Sequence, residues 1–378
     1  MVKEKIVIGI TAPLSIMLLE GQLNYFSEAG YEVYLMAPNS DAVSQFCIEE
    51  QAIHLPVDIA REISVYKDLK ALFQIIRYLK KIKPDIVNAG TPKMGLLGII
   101  GAYLTGVKKR IYTCRGFRYE HEKGMKRQIL RFMEKLTSRL AHSVICISPS
   151  VKELGLEDHI FSENKAVVLG KGSSNGVNLN RFNRIKIDTE AKEVLIRELG
   201  IKNKFIFGFV GRIIDRKGLN ELYAAFDQLF HRYSNIHLII VGGINVQQVK
   251  NPSLIEKMNR HEGITLTRFQ RNVPLYLSLF NVFVLPAWWE GFGNTLIQAA
   301  AMDIPVISTN VTGCKDAVSD GFNGILVKSK SVDELSKAME LLLLNQKERE
   351  RLGKNGNQWA RNFDSQKVWQ EIKLFYEN

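Results

Sequence analysis

Short apolar runs alternate with longer stretches whose apolar residues recur at helical spacing, from one end of the chain to the other. The runs at 5–10, 31–38, 52–57, 85–90, 110–114, 143–149 and 165–170 are rich in β-branched residues and tyrosine, and each is predicted to be a strand. Helical periodicity intervenes; over 66–82, Leu69, Leu72, Phe73, Ile76 and Leu79 trace one face. After Phe182 the alternation restarts, with strands predicted at 204–211, 237–243, 264–269, 282–287, 305–309 and 324–328. Strand and crossover helix in succession is the pattern of parallel sheets, so two similar α/β halves are expected in series. The segment GKGSSNGVNLNRF at 170–182 is rich in Gly, Ser and Asn and reads as a hinge. Beyond Ser331 the pattern is helical, with a boundary near Asn362 and a last amphipathic segment carrying Val368, Trp369, Ile372 and Phe375. The expected division is 1–175, 176–361 and a closing helix at 362–378.

Composition narrows the class. A chain of 378 residues, 46% hydrophobic and 24% charged, is long enough for two domains of ordinary size. Cys47, Cys114, Cys146 and Cys314 show no CxxC or Cys/His spacing, which argues against a disulfide framework or a structural zinc site and fits a reducing, cytosolic setting. The apolar run 6–19 is followed by Glu20, Gly21 and Gln22 where a signal peptide needs small residues, so it reads as strand plus loop. The run 94–107 falls short of the ~20 residues of a membrane span and is interrupted by glycines.

The formal charge of +12 points to anionic partners: nucleic acid, anionic lipid or phosphorylated small molecules. Much of it lies within 108–139, where Met125, Ile129, Phe132, Met133, Leu136 and Leu140 recur at helical spacing and Arg127, Arg131, Lys135 and Arg139 step along another face. Two readings stand. The apolar stripe packs on a sheet and the basic stripe is merely solvated, or the helix docks on an anionic membrane, where each basic residue contributes about 1 kcal/mol. Nucleic acid fits poorly, because aromatic residues are not interleaved with the charges.

In open α/β sheets ligands bind beyond the carboxyl ends of strands. Two loops there carry chemistry. GRIIDRKGL after the strand 204–211 offers Arg212 and Lys217, a planar fork and a point charge that together neutralise a diphosphate without metal. WWEGFGNTLIQ at 288–298 places Glu290 just before a helix whose first turn presents backbone N–H groups at Gly293, Asn294 and Thr295, with Gly291 and Gly293 permitting close approach. A carboxylate there would repel phosphate, so Glu290 is expected to accept hydrogen bonds from hydroxyls. A phosphate-neutralising loop beside a hydroxyl-binding carboxylate suggests a nucleotide-sugar site.

The motifs GRIIDRKG, PAWWEGFGNTLIQAAAMDIPVI, NGVNLNRF and DGFNGILV resemble the retaining glycosyltransferases of family 4, and the resemblance spans essentially the whole chain. TPKMGLLGIIGAYLTGVKKRIYT and RGFRYEHEKGMKRQILRFMEK resemble the branch that builds capsular or other surface polysaccharide on polyprenyl-diphosphate carriers. The resemblance implies an α/β GT-B fold: two Rossmann-like domains facing each other across a cleft, the first binding acceptor and the second nucleotide-sugar, with a C-terminal helix returning toward the first. It implies that Arg212 and Lys217 hold the donor diphosphate, that backbone amides at Gly293, Asn294 and Thr295 complete the cradle, and that Glu290 binds donor-sugar hydroxyls. In the family an E-x7-E pattern closes on a glutamate that binds ribose; this chain has Gln298, a neutral acceptor weaker by about 1 kcal/mol. Where the family often carries a histidine before a glycine, this chain has Arg115. Arg115 and Arg118, always protonated, are candidates for gripping an acceptor diphosphate, or else pair with Glu120 or Glu122. The family's glycine-rich acceptor loop is replaced by TAPLSIMLLEG, which makes Ser15 the acceptor-side candidate there.

The resemblance thus implies retaining transfer of a sugar, an N-acetylated hexose or deoxyhexose, from a UDP-sugar to a polyprenyl-diphosphate-linked saccharide. Attack would come from the front face, with the departing diphosphate taking the acceptor proton. No cofactor and no metal are expected, since no DxD motif occurs. The expected location is the cytoplasmic face of a bacterial inner membrane, held peripherally through Arg127, Arg131 and Lys135. Two competing readings remain: a noncatalytic nucleotide-sugar-binding or scaffold subunit, motivated by Gln298 and the missing histidine, and a sugar-nucleotide epimerase of similar two-domain fold.

Overall fold

Runs of Val, Ile, Leu and Phe can be buried on both faces only in a sheet covered by helices on each side, and every run read above as a strand pairs in one of two parallel sheets. The structure, a computed structural model, describes residues 3–59, 64–244, 248–249 and 251–378. The first sheet comprises β1 (Lys5–Gly9), β2 (Glu32–Ala37), β3 (Ile53–Pro56), β4 (Ile86–Gly90), β5 (Lys109–Cys114), β6 (Ser143–Cys146) and β7 (Ala166–Val167) in the order β3-β2-β1-β4-β5-β6-β7. The second comprises β8 (Phe205–Val210), β9 (Ile236–Val241), β10 (Ile264–Arg268), β11 (Val282–Leu285), β12 (Val306–Thr309) and β13 (Gly324–Val327) in the order β10-β9-β8-β11-β12-β13. Strand order reverses between β1 and β4 and again between β8 and β11, the switch points at which such sheets bind ligands.

The chain divides into two units, one of Met1–Gly176 with Ser365–Asn378, the other Val177–Asp364. The division falls inside the Gly- and Asn-rich segment 170–182. In the first unit Val368, Ile372 and Tyr376 of the last helix, Ser365–Glu377, join Ile6, Phe26 and Leu35 in one core, and Tyr376 stacks on Phe26 with centroids 5.3 Å apart. Helix starts follow local chemistry: Ser40 and Ser148 cap their helices by accepting from the backbone N–H of Val43 and Val151.

Two helices of the first unit bury only part of the stripe their periodicity indicated: Leu72 and Leu79 of one and Met133 and Leu140 of the other pack on the core, while the rest of each stripe turns away from it. Helix Val65–Ile82 buries Ala71, Ile75 and Leu79, while Leu69 and Phe73 are exposed, Phe73 at 71%. Its true core stripe steps by four through a small residue, Ala71, which a count of large side chains passes over. Helix Gly124–Leu140 buries Leu130, Glu134, Thr137 and Ser138 and leaves Met125, Ile129 and Phe132 exposed, Phe132 at 66%. Polar Glu134 and Thr137 can face inward because each has a hydrogen bond, Glu134 from the Tyr112 hydroxyl at 2.7 Å and Thr137 to the Met133 carbonyl at 2.8 Å. Arg131 is not part of a solvated basic stripe: it pairs with Asp158 at 3.1 Å and lies over the Tyr119 ring. Lys135 and Arg139 are exposed and Arg127 is half-buried. Among the described residues no helix is long and apolar enough to cross a membrane.

Candidate functional site

In the second unit, the loops after β8 and β11 meet. Gly218 makes this possible: its φ is +74°, and a Cβ there would stand 1.9 Å from the Pro286 carbonyl oxygen, so only glycine lets the β8 loop lie against the β11 loop. The Trp288 N–H then donates to the Arg216 carbonyl at 2.8 Å. A third loop, after β12, closes on the same place, with the Glu290 N–H donating to the Thr312 carbonyl at 3.1 Å and the Gly293 N–H to the Gly313 carbonyl at 3.2 Å. Gly313, at φ +76°, is held so near Glu290 and Gly291 that a Cβ would come within 2.5 Å of the Glu290 carbonyl oxygen.

On this frame Lys217 and Glu290 form an ion pair, each side chain only 12% exposed. The Lys217 stem runs over Gly211, where a Cβ would be 3.8 Å from its Cε, which places the ammonium beside the loop that carries the exposed Arg212. Below the pair lies Cys314, whose thiol pKa is pushed up to about 12 by burial and by the neighbouring Glu290 charge. Asn294, Thr295 and Gln298 occupy the first turn and a half of helix Asn294–Ala301, all three half-buried. The Asn294 N–H bonds to the Phe292 carbonyl at 3.0 Å, so with Gly293 directed at Gly313 two of the three amides read as cradle donors already have backbone partners.

Sequence reasoning passed over the aromatic collar of this site. The Arg216 guanidinium lies 4.2 Å from the Trp289 ring centroid, and the Lys330 ammonium 4.4 Å from that of Trp288. The Trp288 indole N–H donates to Glu221 at 3.0 Å. The doubled tryptophan was a visible signal; its partners, from two other loops, were not. Among the described residues no group of three His, Cys, Asp or Glu side chains could hold a metal ion.

The first unit has its own polar cavity, at the carboxyl ends of β1, β4 and β5, lined by Gly9, Gln22, Asn88, Thr113, Arg115 and Ser174 among others. Arg115 reaches it from the end of β5, and Gly90 leaves room: a Cβ there would stand 3.0 Å from Arg115 Nε. Arg115 Nη1 donates to the Ser174 hydroxyl, while its buried Nε has no hydrogen-bond partner. Burial lowers its pKa to about 10, and it pairs with neither Glu120 nor Glu122. Arg118 is exposed on the next turn, and Ser15 sits half-buried on the short helix Pro13–Leu18; neither lines the cavity. Gln22, Asn88 and Ser174 come from distant parts of the chain, with no local pattern to announce them.

Two family models match the chain, one described as Glycosyltransferase Family 4 over residues 20–181 and one as Glycosyl transferases group 1 over 191–359. The chain is 34% identical over 377 residues, 100% of its own length and 97% of the other's, to the capsular polysaccharide biosynthesis glycosyltransferase CapM of Staphylococcus aureus. It is 27% identical over 315 residues, 82% of this chain and 79% of the other, to the UDP-Gal:alpha-D-GlcNAc-diphosphoundecaprenol alpha-1,3-galactosyltransferase of Escherichia coli. The crystal structure of Anabaena HepE in complex with UDP and glucose superposes with a TM-score of 0.84 over 99% of this chain and 100% of that one; at 16% identity the likeness is one of fold.

Proposed function

Because the chain belongs to the family 4 glycosyltransferases, whose two-sheet GT-B fold it shares, we propose that it moves an N-acetylated hexose or deoxyhexose from a UDP-sugar to a polyprenyl-diphosphate-linked saccharide, with retention and without metal, in surface polysaccharide synthesis. The observation that carries this reading is the Lys217–Glu290 pair at the switch point of the second sheet. A donor exchanges that pair for two complementary ones. Its diphosphate takes the Lys217 ammonium and the Arg212 fork, and its sugar hydroxyls replace the ammonium as donors to the Glu290 carboxylate.

The same cations then serve the chemical step. Negative charge grows on the leaving diphosphate as the glycosidic bond breaks, and Arg212 and Lys217 stabilise it where it grows. Arginine and lysine hold the proton too tightly to act as bases at neutral pH, so in the front-face scheme the leaving phosphate oxygen takes the proton of the acceptor hydroxyl. The lipid-linked acceptor is supported by the name of the E. coli relative, and surface polysaccharide by that of CapM. Peripheral attachment to the cytoplasmic face of the inner membrane fits the exposed Phe73, Met125, Ile129 and Phe132 beside Lys70, Lys126 and Lys135. The test is to incubate the protein with UDP-sugars and a short-chain polyprenyl-diphosphate sugar in chelator and read the anomeric configuration of the product by NMR. An α-linked product from an α-linked donor supports the proposal; an inverted product, or donor epimerised without acceptor, overturns it.

A further inference from the structure

The carboxyl edge of the second sheet continues past the Lys217–Glu290 pair. Beyond β8 the chain still runs beside β9: the Ile213 N–H donates to the Gly243 carbonyl at 2.9 Å, and a Cβ on Gly242 would stand 1.8 Å from the Gly211 carbonyl oxygen, so glycine alone admits this approach. The Gly242 N–H in turn donates to the Arg268 carbonyl at 2.8 Å, which joins the loop after β9 to the end of β10. Arg212, Gly243 and Phe269 thus follow β8, β9 and β10 in the order in which those strands lie side by side.

Phe269 is 58% exposed, yet the backbone beneath it is built to set its position. The pairing of β10 with β9 slips between Leu266 and Arg268, leaving Thr267 as an extra residue, and Arg268 adopts φ +59°, a conformation unfavourable for a residue with a side chain. A bulge of this kind re-aims the side chains around it, and backbone strain gathers at ligand sites. The Thr267 carbonyl accepts from Gln270 Nε2 at 2.7 Å, which pins the bulge from within. Among the described residues, a Cβ on Gly243 would meet nothing nearer than the Phe269 Cβ, at 4.0 Å, so the space beside the ring on the β9 side is open. The result is a solvated phenyl ring with a flat face to offer.

The order of the strands says which part of a ligand reaches it. With the diphosphate at Arg212 and Lys217, after β8, and the sugar at Glu290, after β11, the diphosphate is the middle of the ligand and the nucleoside leaves the other way, toward β9 and β10. Two strand spacings separate β8 from β10, about 10 Å, the scale on which a ribose sets a base apart from its diphosphate. We propose that Phe269 is the platform on which the base of the donor nucleotide stacks, its place fixed by the bulge at Thr267 and Arg268. That a nucleoside arrives at this ring rests on the donor site proposed at Lys217; that the ring is held out at this edge does not.

Calorimetric titrations of UDP and of pyrophosphate, in chelator, into the full chain and its Phe269→Ala, Phe269→Tyr and Arg212→Ala variants separate the two ends of the nucleotide. Phe269→Ala weakens UDP by about tenfold, the scale of one base–aromatic stack, and leaves pyrophosphate where it was. Phe269→Tyr keeps the ring and with it the affinity, whereas Arg212→Ala weakens both ligands. Phe269→Leu, which keeps apolar bulk without a flat face, shows the same selective loss and decides the matter if the alanine variant does not fold. UDP binding that Arg212→Ala weakens and Phe269→Ala leaves untouched overturns the platform while the donor site stands. An equal loss of pyrophosphate in Phe269→Ala overturns it too, because the ring would then be shaping the phosphate end. A parent chain that binds neither ligand removes the donor site and the platform together.

Discussion

Lys217 and Glu290 pair across 73 residues of sequence, each nearly shielded from water. A ligand that draws on both competes with the pair. Glu290→Gln therefore has opposite effects on binding and on turnover: Lys217 is released, and UDP affinity holds or rises, while kcat falls by about 10²-fold or more as the carboxylate's grip on the sugar is lost. Calorimetry and steady-state rates on one preparation check both. A parallel loss of UDP binding would place Glu290 on the nucleotide instead.

Gln298 accepts a hydrogen bond less strongly than a carboxylate would. Gln298→Glu tightens UDP binding by about 1 kcal/mol, roughly fivefold, and leaves kcat within a factor of about two. Absence of turnover in both the parent and the variant would favour the scaffold reading.

How far the sequence carries can be judged residue by residue. Strands were legible because a run buried on both faces needs no phase: each of the thirteen lies inside or within a residue of its apolar run. Helix faces were less so. Phe73 and Phe132 are large and periodic, yet they lie outward while Ala71 and Thr137 lie inward, because periodicity reports where apolar residues cluster and not which cluster a sheet covers. At the candidate site, Lys217 and Glu290 could be named from their loops. The bond between them could not, since it depends on the backbone contact that Gly218 permits with Pro286. The Arg115 cavity was legible only as one arginine, its other walls coming from positions as distant as Gln22 and Ile372.

Gly218 holds the two site loops together, so Gly218→Ala should damage stability and binding jointly. The methyl group adds an unfavourable positive φ to a backbone clash, and the expected loss is about 2 kcal/mol or more, a fall in Tm of roughly 4–8 °C. UDP affinity falls with it, because the Lys217 and Glu290 loops part. Differential scanning calorimetry with and without UDP reads both effects.

Burial raises the Glu134 carboxyl to about 7, against an ordinary 4.5, while Tyr112 donates to it. Between pH about 4.5 and 7 the unfolded chain has released this proton and the folded chain keeps it. The group's stabilising contribution is therefore complete below about 4.5 and is lost as pH rises to about 7, by roughly 3 kcal/mol. Glu134→Gln keeps an acceptor for Tyr112 and removes the titration. The variant's stability relative to the parent should rise from pH 5 to pH 8 in urea denaturation; a constant difference would mean that Glu134 ionises normally.

Whether Arg212 and Lys217 hold a nucleotide diphosphate without metal is read by a calorimetric titration of UDP in chelator into the parent, Arg212→Ala and Lys217→Ala. Each charge-assisted bond contributes about 1.5–3 kcal/mol. The expected result is metal-free UDP binding weakened by roughly 10- to 100-fold in each variant; UDP binding that needs metal, or is indifferent to both substitutions, would rule out this role for the two cations.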